Sequence, residues 1–200
     1  MTALSLANME HASGMMPATT DNDERSLVAR IADARDVAAF ERLYHDYRRR
    51  LGPFVYRMIR DASANDEVFN DVMLAVWRNA ASFTGKSKVS TWVFGIAYRQ
   101  CLKHLRGRKP TVELDDSMHD SVDDRQSFER QDLVVHAIAG LSPEQRLVIE
   151  LSYFQGNTYS EIAEIAGCPE NTIKTRVFHA RRRLKAIMAE LGERAPAEEQ

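Results

Sequence analysis

The stretch that decides the fold is residues 158–184, TYSEIAEIAGCPENTIKTRVFHARRRL. It contains a small residue, Ala163, then Gly167 four positions later and Ile173 six positions after that. In a helix-turn-helix, a small residue leaves room where the two helices cross, and glycine adopts the left-handed backbone of the turn. An apolar residue in the second helix closes the core between them. This spacing therefore predicts a helix-turn-helix.

The second helix of this motif has the composition of a helix that reads DNA. Short polar residues occupy its N-terminal end, which reaches base edges in a major groove, and cationic residues that can meet phosphates follow. The predicted contacts are Glu170, Asn171, Thr172, Lys174, Thr175, Arg176, His179, Arg181, Arg182 and Arg183. The alternative is an ordinary helical hairpin that ends in a basic surface helix.

Upstream of the motif, the residues again carry helix-start and helix-stop signals. A capping box over 142–145, with Pro143 at the first helical position, predicts a helix that Gly156 ends. A second capping box over 158–161 begins the first helix of the motif, and a short helix is expected over 131–139.

The first half of the chain also has helical periodicity. Apolar residues recur at three- and four-residue steps over 27–51, 68–77 and 91–105, which predicts helices there. Gly52-Pro53 is predicted to interrupt the first of these runs. Since no stretch alternates with a period of two, no sheet is expected.

Charge divides the chain, although its net charge is only −2. Residues 99–109 contain five Lys/Arg and no acid, and residues 174–185 contain six and no acid. Residues 113–132 between them contain eight Asp/Glu. Either basic segment alone is equally well explained as a solvated face. The expected fold is all-α: two helical domains joined by a flexible acidic linker, the C-terminal one a helix-turn-helix. The expected boundaries are a disordered tail at 1–24, domains at 25–109 and 129–192, a linker at 110–128 and a second tail at 193–200.

The sequence contains no motif typical of an enzyme or of a membrane protein. The histidines have no metal-ligand spacing with a Cys or carboxylate, and neither a Gly-rich phosphate loop nor a GxSxG motif occurs. Cys101 and Cys168 lie far apart, as in a protein of the reducing cytoplasm. We therefore expect a cytoplasmic protein without catalytic residues, metal site, cofactor, secretory signal or membrane span.

The second domain resembles region 4 of the extracytoplasmic-function (ECF) sigma factors. The similar segments are 141–146 (LSPEQR), 159–163 (YSEIA), 171–176 (NTIKTR) and 180–184 (ARRRL). In this family, region 4 reads the −35 promoter element. LuxR-type regulators use a similar helix-turn-helix, so this half alone leaves both families open.

The first domain discriminates between them. Residues 66–77 (DEVFNDVMLAVW) resemble region 2.2 of the ECF sigma factors, and 83–85 (FTG), 90–97 (STWVFGIA) and 105–106 (LR) resemble regions 2.3 and 2.4. A receiver domain, as in response regulators, would instead need alternating strands and helices.

The resemblance assigns the region 2.2 helix to core RNA polymerase. Its face opposite the Val68, Val72 and Val76 row would bind the β′ coiled coil, and region 4 would bind the β flap. The residues assigned to the coiled coil are Asp66, Glu67, Asn70, Asp71 and Leu74. Without the resemblance, an ordinary acidic exposed face is the preferred interpretation. The family usually has Gln-Glu where this chain has the shorter Asn70-Asp71.

The resemblance assigns the following loop and helix to opening the −10 element and holding an extruded base. This task needs cations for the backbone and aromatic or amide groups for an unstacked base. The assigned residues are Lys86, Lys88, Trp92, Tyr98, Arg99, Lys103 and Arg106. For Trp92 a core position is the preferred alternative. The family often has Arg-Asn where this chain has Tyr98-Arg99, so its −10 preference is expected to differ.

The sequence thus predicts a sigma factor that binds core polymerase and promoter DNA, with an anti-sigma factor as a further partner in this family. Two rivals stand beside it. One is a stand-alone regulator that binds operators without polymerase, and the region 2 resemblance speaks against it. The other is an interaction protein that has kept the fold without DNA binding, and the basic helix at 174–185 speaks against that.

Overall fold

The computed structural model describes residues 20–107 and 137–194, and within them every regular element is helical. The predicted all-α class is confirmed. A 3₁₀ turn at Ala80–Ser82 follows the third helix, and a π-helical turn at Glu150–Phe154 follows the fifth. The helices are α1 (Asp21–Ala34), α2 (Val37–Ile59), α3 (Ala62–Asn79), α4 (Val89–Gly107), α5 (Pro143–Ile149), α6 (Tyr159–Ala166) and α7 (Glu170–Arg194).

The N-terminal unit is built around α2, which packs against α1, α3 and α4. Leu43, Leu51 and Phe54 are fully buried along its inner face. Phe54 meets Phe94 of α4 edge to face, with ring centroids 5.0 Å apart. Such a pair adds about 0.5–1.5 kcal/mol beyond the burial of its surface. The α2 helix is therefore the centre of this core, and α3 and α4 pack against it with their outer faces exposed.

Aspartate caps set the helix boundaries of this unit. Arg35 and Arg60 take left-handed backbone conformations, with φ of 50° and 56°, which cost a non-glycine residue about 1–2 kcal/mol each. Asp36 and Asp61 follow them and accept hydrogen bonds from the backbone of α2 and α3, at 3.0 and 3.2 Å. Since an N-cap of this kind contributes about 1 kcal/mol, it offsets much of that strain.

Two predictions about this unit were wrong. Gly52-Pro53 does not interrupt the helix, because α2 continues to Ile59 with apolar side chains buried on both sides of Pro53. This burial compensates for the proline's missing hydrogen bond, about 3 kcal/mol. The predicted tail also ended too late: α1 begins at Asp21, where Thr20 and Asp23 form a capping box. The rest of that tail lies outside the described residues.

The C-terminal unit confirms the helix signals that its sequence carries. Ser142 forms a capping box at the start of α5, and Thr158 forms another at the start of α6. Gly156 and Gly167 have φ of 66° and 65°, as the chain reversals before and after α6 require. Ile173 is fully buried, so the predicted closure of the helix-turn-helix core is also confirmed.

Part of the sequence prediction falls on residues that the structure does not describe. The acidic linker predicted at 110–128 lies outside the described residues, and so do the six terminal residues of the second tail. Of the helix predicted over 131–139, only 137–139 are described, and they are helical.

The two helical units pack directly on each other, mainly through α4 and α6. Arg57 of α2 pairs with Glu150, with Nε and Oε2 2.6 Å apart. The guanidinium of Arg146 donates from Nη1 to the carbonyl oxygen of Met58, at 2.6 Å. These contacts bring the helix-turn-helix against the helix that the resemblance assigns to −10 DNA.

Candidate nucleic-acid and protein interfaces

Helix α7, the predicted recognition helix, is positioned by the turn before it. Gly167 ends α6 in the left-handed conformation, and α7 begins three residues later at Glu170. Ile173, Val177 and Ala180 are buried against the rest of the unit, which fixes the rotation of α7 about its axis. The opposite face of the helix is consequently presented outward.

The structure leaves most of the predicted −35 residues exposed. Lys174 pairs with Glu170 one turn earlier, at 2.9 Å, and Arg181 lies over the ring of Tyr153 at 6.0 Å. Thr172 is half-buried. The exposed members are Glu170, Asn171, Lys174, Thr175, His179, Arg181, Arg182 and Arg183. Their arrangement, with short polar groups first and guanidinium groups later, matches base reading followed by phosphate binding.

Arg176 is the exception among the cations of this helix. Its side chain is half-buried and its Nη1 lies 3.7 Å from the sulfur of Cys168. It therefore points back toward the turn of the motif and toward Tyr98 of the adjacent α4. Phe178, by contrast, is 62% exposed, and it lies on the same side of α7 as Lys174. Sequence reasoning missed Phe178, although its position one turn beyond Lys174 was a usable signal.

The loop before α4 and the outer face of α4 carry the predicted −10 residues. Lys86, Lys88, Arg99, Lys103 and Arg106 are exposed. The exposed ammonium group of Lys88 pairs with Glu161 of α6 at 2.7 Å, and this hydrogen bond raises the pKa of Lys88. Arg99, Lys103 and Arg106 follow one another at four- and three-residue steps along α4, and Lys86 and Lys88 lie on the loop before it.

The two predicted rings on α4 do not reach outward. Tyr98 is only 6% exposed, and burial raises the pKa of its hydroxyl, with Glu144 and Arg176 nearby. Trp92 is half-buried and packs on Phe83, with ring centroids 5.3 Å apart. Trp92 is thus partly buried against the core and partly accessible, whereas Tyr98 is covered by the C-terminal unit.

The predicted polymerase-binding face lies on α3. Asn70 accepts a hydrogen bond from the hydroxyl of Tyr44 at 2.9 Å, and Asp66 pairs with Arg48 at 2.6 Å. Leu74 is 42% exposed. All five predicted residues, Asp66, Glu67, Asn70, Asp71 and Leu74, are exposed.

An apolar groove runs beside this acidic face. It lies between α2 and α3 and opens to the surface. Phe40 and Trp77 form its wall, with ring centroids 5.0 Å apart. The groove is lined by Val37, Phe40, Tyr44, Asn70, Met73, Leu74 and Trp77. Acidic groups beside an apolar groove suit a protein partner that is basic and partly apolar.

Buried charges between the two units were missed by sequence reasoning. The side chain of Glu150 is fully buried, and burial raises its pKa although Arg57 opposes the shift. Burial lowers the pKa of Arg146 to about 10, and nearby Arg60 adds to the effect. A glutamate inside the apolar run 147–151 was the one signal available, because an acid buried among apolar residues needs a partner.

The described residues bear on metal binding, thiol reactivity and membrane insertion. Across 20–107 and 137–194, no three His, Cys, Asp or Glu residues are grouped so that they could hold a metal ion. Burial raises the pKa of Cys101 to about 12, so its thiol is unreactive near neutral pH. Within the same ranges, none of the helices is both long and apolar enough to cross a membrane.

Comparisons with known proteins identify the same family for both helical units. The family model for sigma-70 region 2 matches residues 43–111, and that for sigma-70 region 4 matches residues 131–184. The ECF RNA polymerase sigma factor RpoE of Cereibacter sphaeroides is 33% identical over 180 residues, which cover 85% of this chain and 99% of the relative. The ECF RNA polymerase sigma factor SigM of Mycobacterium tuberculosis is 31% identical over 172 residues, covering 85% and 86%.

Solved structures share the fold. CnrH, solved in complex with the cytosolic domain of CnrY, matches with a TM-score of 0.66 and 21% identity, over 84% of this chain and 97% of CnrH. The sigma factor RpoE of Bartonella quintana, solved with the anti-sigma factor NepR, matches with a TM-score of 0.62 and 24% identity, over 76% and 98%.

Proposed function

Because the chain belongs to the ECF sigma factors of the sigma-70 family, which direct transcription initiation, we propose that it reads −35 DNA with its C-terminal unit and melts −10 DNA with its N-terminal unit. The family consists of transcription factors rather than enzymes. The observation that carries the proposal is the presence in one chain of both units, each with an exposed face of the required chemistry.

The −35 assignment rests on the outer face of α7. Asn171, Lys174 and Thr175 are exposed near the N-terminal end of α7, the end that would enter a major groove, where the exposed Phe178 would meet a thymine methyl group. Arg182 and Arg183, two turns later, would follow the phosphate backbone. The alternative of an ordinary hairpin gives no reason for this order of polar and cationic groups.

The −10 assignment rests on the exposed cations of α4 and its preceding loop. Lys86 stands on that loop, and Arg99, Lys103 and Arg106 follow on the helix. A row of cations suits the backbone of a separated strand. The extruded base would be received near the loop, where the Phe83 and Trp92 rings pack together.

Polymerase binding is assigned to the acidic face of α3 and the apolar groove next to it. A helical coiled coil from core polymerase would place apolar side chains near Leu74 and basic ones near Asp66 and Asp71. The β flap remains the proposed contact of the C-terminal unit. A further proposed partner is an anti-sigma factor, because the structurally similar RpoE of Bartonella quintana was solved with one.

A transcription assay tests the proposal. With core polymerase and genomic promoter fragments, we expect the protein to give promoter-specific run-off transcripts, and to bind the same fragments only weakly when alone. The measurement compares transcript yield and mobility shift with and without core enzyme. Tight, specific operator binding by the protein alone, unchanged by core enzyme, would instead establish the stand-alone regulator.

A further inference from the structure

The loop before α4 is held in shape by α1, a helix outside the matched region 2 range of 43–111. The guanidinium of Arg25 donates from Nη1 to the carbonyl oxygen of Gly85 at 2.9 Å and from Nη2 to that of Ser87 at 2.7 Å. It also lies 5.6 Å from the ring centroid of Phe83. One side chain thus contacts three of the loop's residues.

Asp21 connects this contact to the start of α4. Its Oδ2 accepts from Nε of Arg25 at 2.7 Å, and its Oδ1 accepts from the backbone N–H of Val89 at 3.0 Å. Burial alone would raise the pKa of Asp21, but the hydrogen bonds from Arg25 and Val89 outweigh it and the pKa is lowered. A carboxylate at a helix N-terminus is also stabilised by the helix dipole.

The turn at Gly85 lies directly against the guanidinium of Arg25. Gly85 has φ of 73°, and a Cβ built on it would lie 3.1 Å from Nη1 of Arg25. The positive φ favours glycine here, and a larger residue would also displace the guanidinium by a few tenths of an ångström. Lys86 follows directly, so its direction depends on this turn.

We propose that Asp21 and Arg25 are positioning residues for −10 recognition: they hold the loop over 83–89 in the shape that receives the unstacked DNA strand. This rests on the proposed function. Neither residue needs to touch DNA. Both act through the backbone of Gly85, Ser87 and Val89.

The experiment uses full-length protein in holoenzyme on a panel of promoters with single −10 substitutions. For Arg25→Ala we expect opening at the preferred −10 element to fall about tenfold, as for the loss of well-formed hydrogen bonds to a charged group. Discrimination among the panel should flatten, while affinity for core polymerase is retained. Arg25→Lys should not restore selectivity, because an ammonium group cannot reproduce the planar fork.

The matched control is Arg30→Ala, which removes another paired arginine of α1 that bonds Asp36. It should leave −10 selectivity unchanged. If Arg25→Ala lowers transcription from all −10 variants equally, or keeps the wild-type selectivity, the positioning role is wrong. If the wild-type protein itself gives no promoter-specific transcripts, the proposed function fails instead.

Discussion

Replacing Asn70 and Asp71 together by lysine should weaken binding to core polymerase by roughly 2 kcal/mol or more, since placing like charges against each other in an interface costs several kcal/mol. This corresponds to a loss of at least about thirtyfold in affinity. Both side chains are exposed on α3, so the change creates no cavity. The acidic character beside the apolar groove is reversed, and a basic partner is repelled.

The measurement is equilibrium binding of labelled protein to core polymerase, together with a thermal melt. Asn70 loses its hydrogen bond from Tyr44, which costs about 1 kcal/mol of stability at most for an exposed pair. Ala29→Lys/Asp33→Lys is the matched control, because it makes the same charge change at two exposed positions of α1. A double variant of Asn70 and Asp71 that melts normally and binds as wild type would remove α3 from the polymerase interface.

Local signals in the sequence predicted most of the fold correctly. The capping boxes at Ser142 and Thr158 and the left-handed Gly167 depend on residues within four positions of each other. Their geometry is therefore decided by short-range hydrogen bonds and backbone sterics. The same holds for the outward face of α7, because the buried Ile173 and Val177 fix which side chains point away from the core.

The errors arose where tertiary packing overrides a local signal. Pro53 is a strong helix breaker by itself, yet α2 passes through it because the apolar residues on either side are buried by other helices. The α1 helix has a capping box of its own, but Asp23 in place of the usual Glu or Gln made it easy to overlook.

The relation between the two units could not be predicted from local patterns at all. Arg57 and Glu150 are 93 positions apart. In its local sequence, each has the pattern of an ordinary charged residue of a helix. The burial of Tyr98 follows from the same long-range packing. A residue assigned to DNA by resemblance is thus covered by packing that its local sequence does not reveal.

Within α7, base-reading and phosphate-binding residues should fail differently when removed. Lys174→Ala should cost about 1–3 kcal/mol at the preferred −35 sequence and flatten the preference among variants, because base contacts specify sequence. Arg182→Ala should weaken binding to all sequences similarly and lower the slope of log affinity against log salt by about one. Lys174 is a better candidate for base reading than Arg176, because the side chain of Arg176 is half-buried against Cys168.

The measurement is −35 binding by holoenzyme over a salt series for each variant, on a panel of −35 sequences. Glu190→Ala, at an exposed position near the far end of α7, serves as the control and should change neither quantity. If Arg182→Ala alters sequence preference while Lys174→Ala changes only the salt slope, the helix lies in the groove in the opposite sense. If neither substitution has an effect, α7 does not enter DNA, and the C-terminal unit is a helical hairpin with a basic surface.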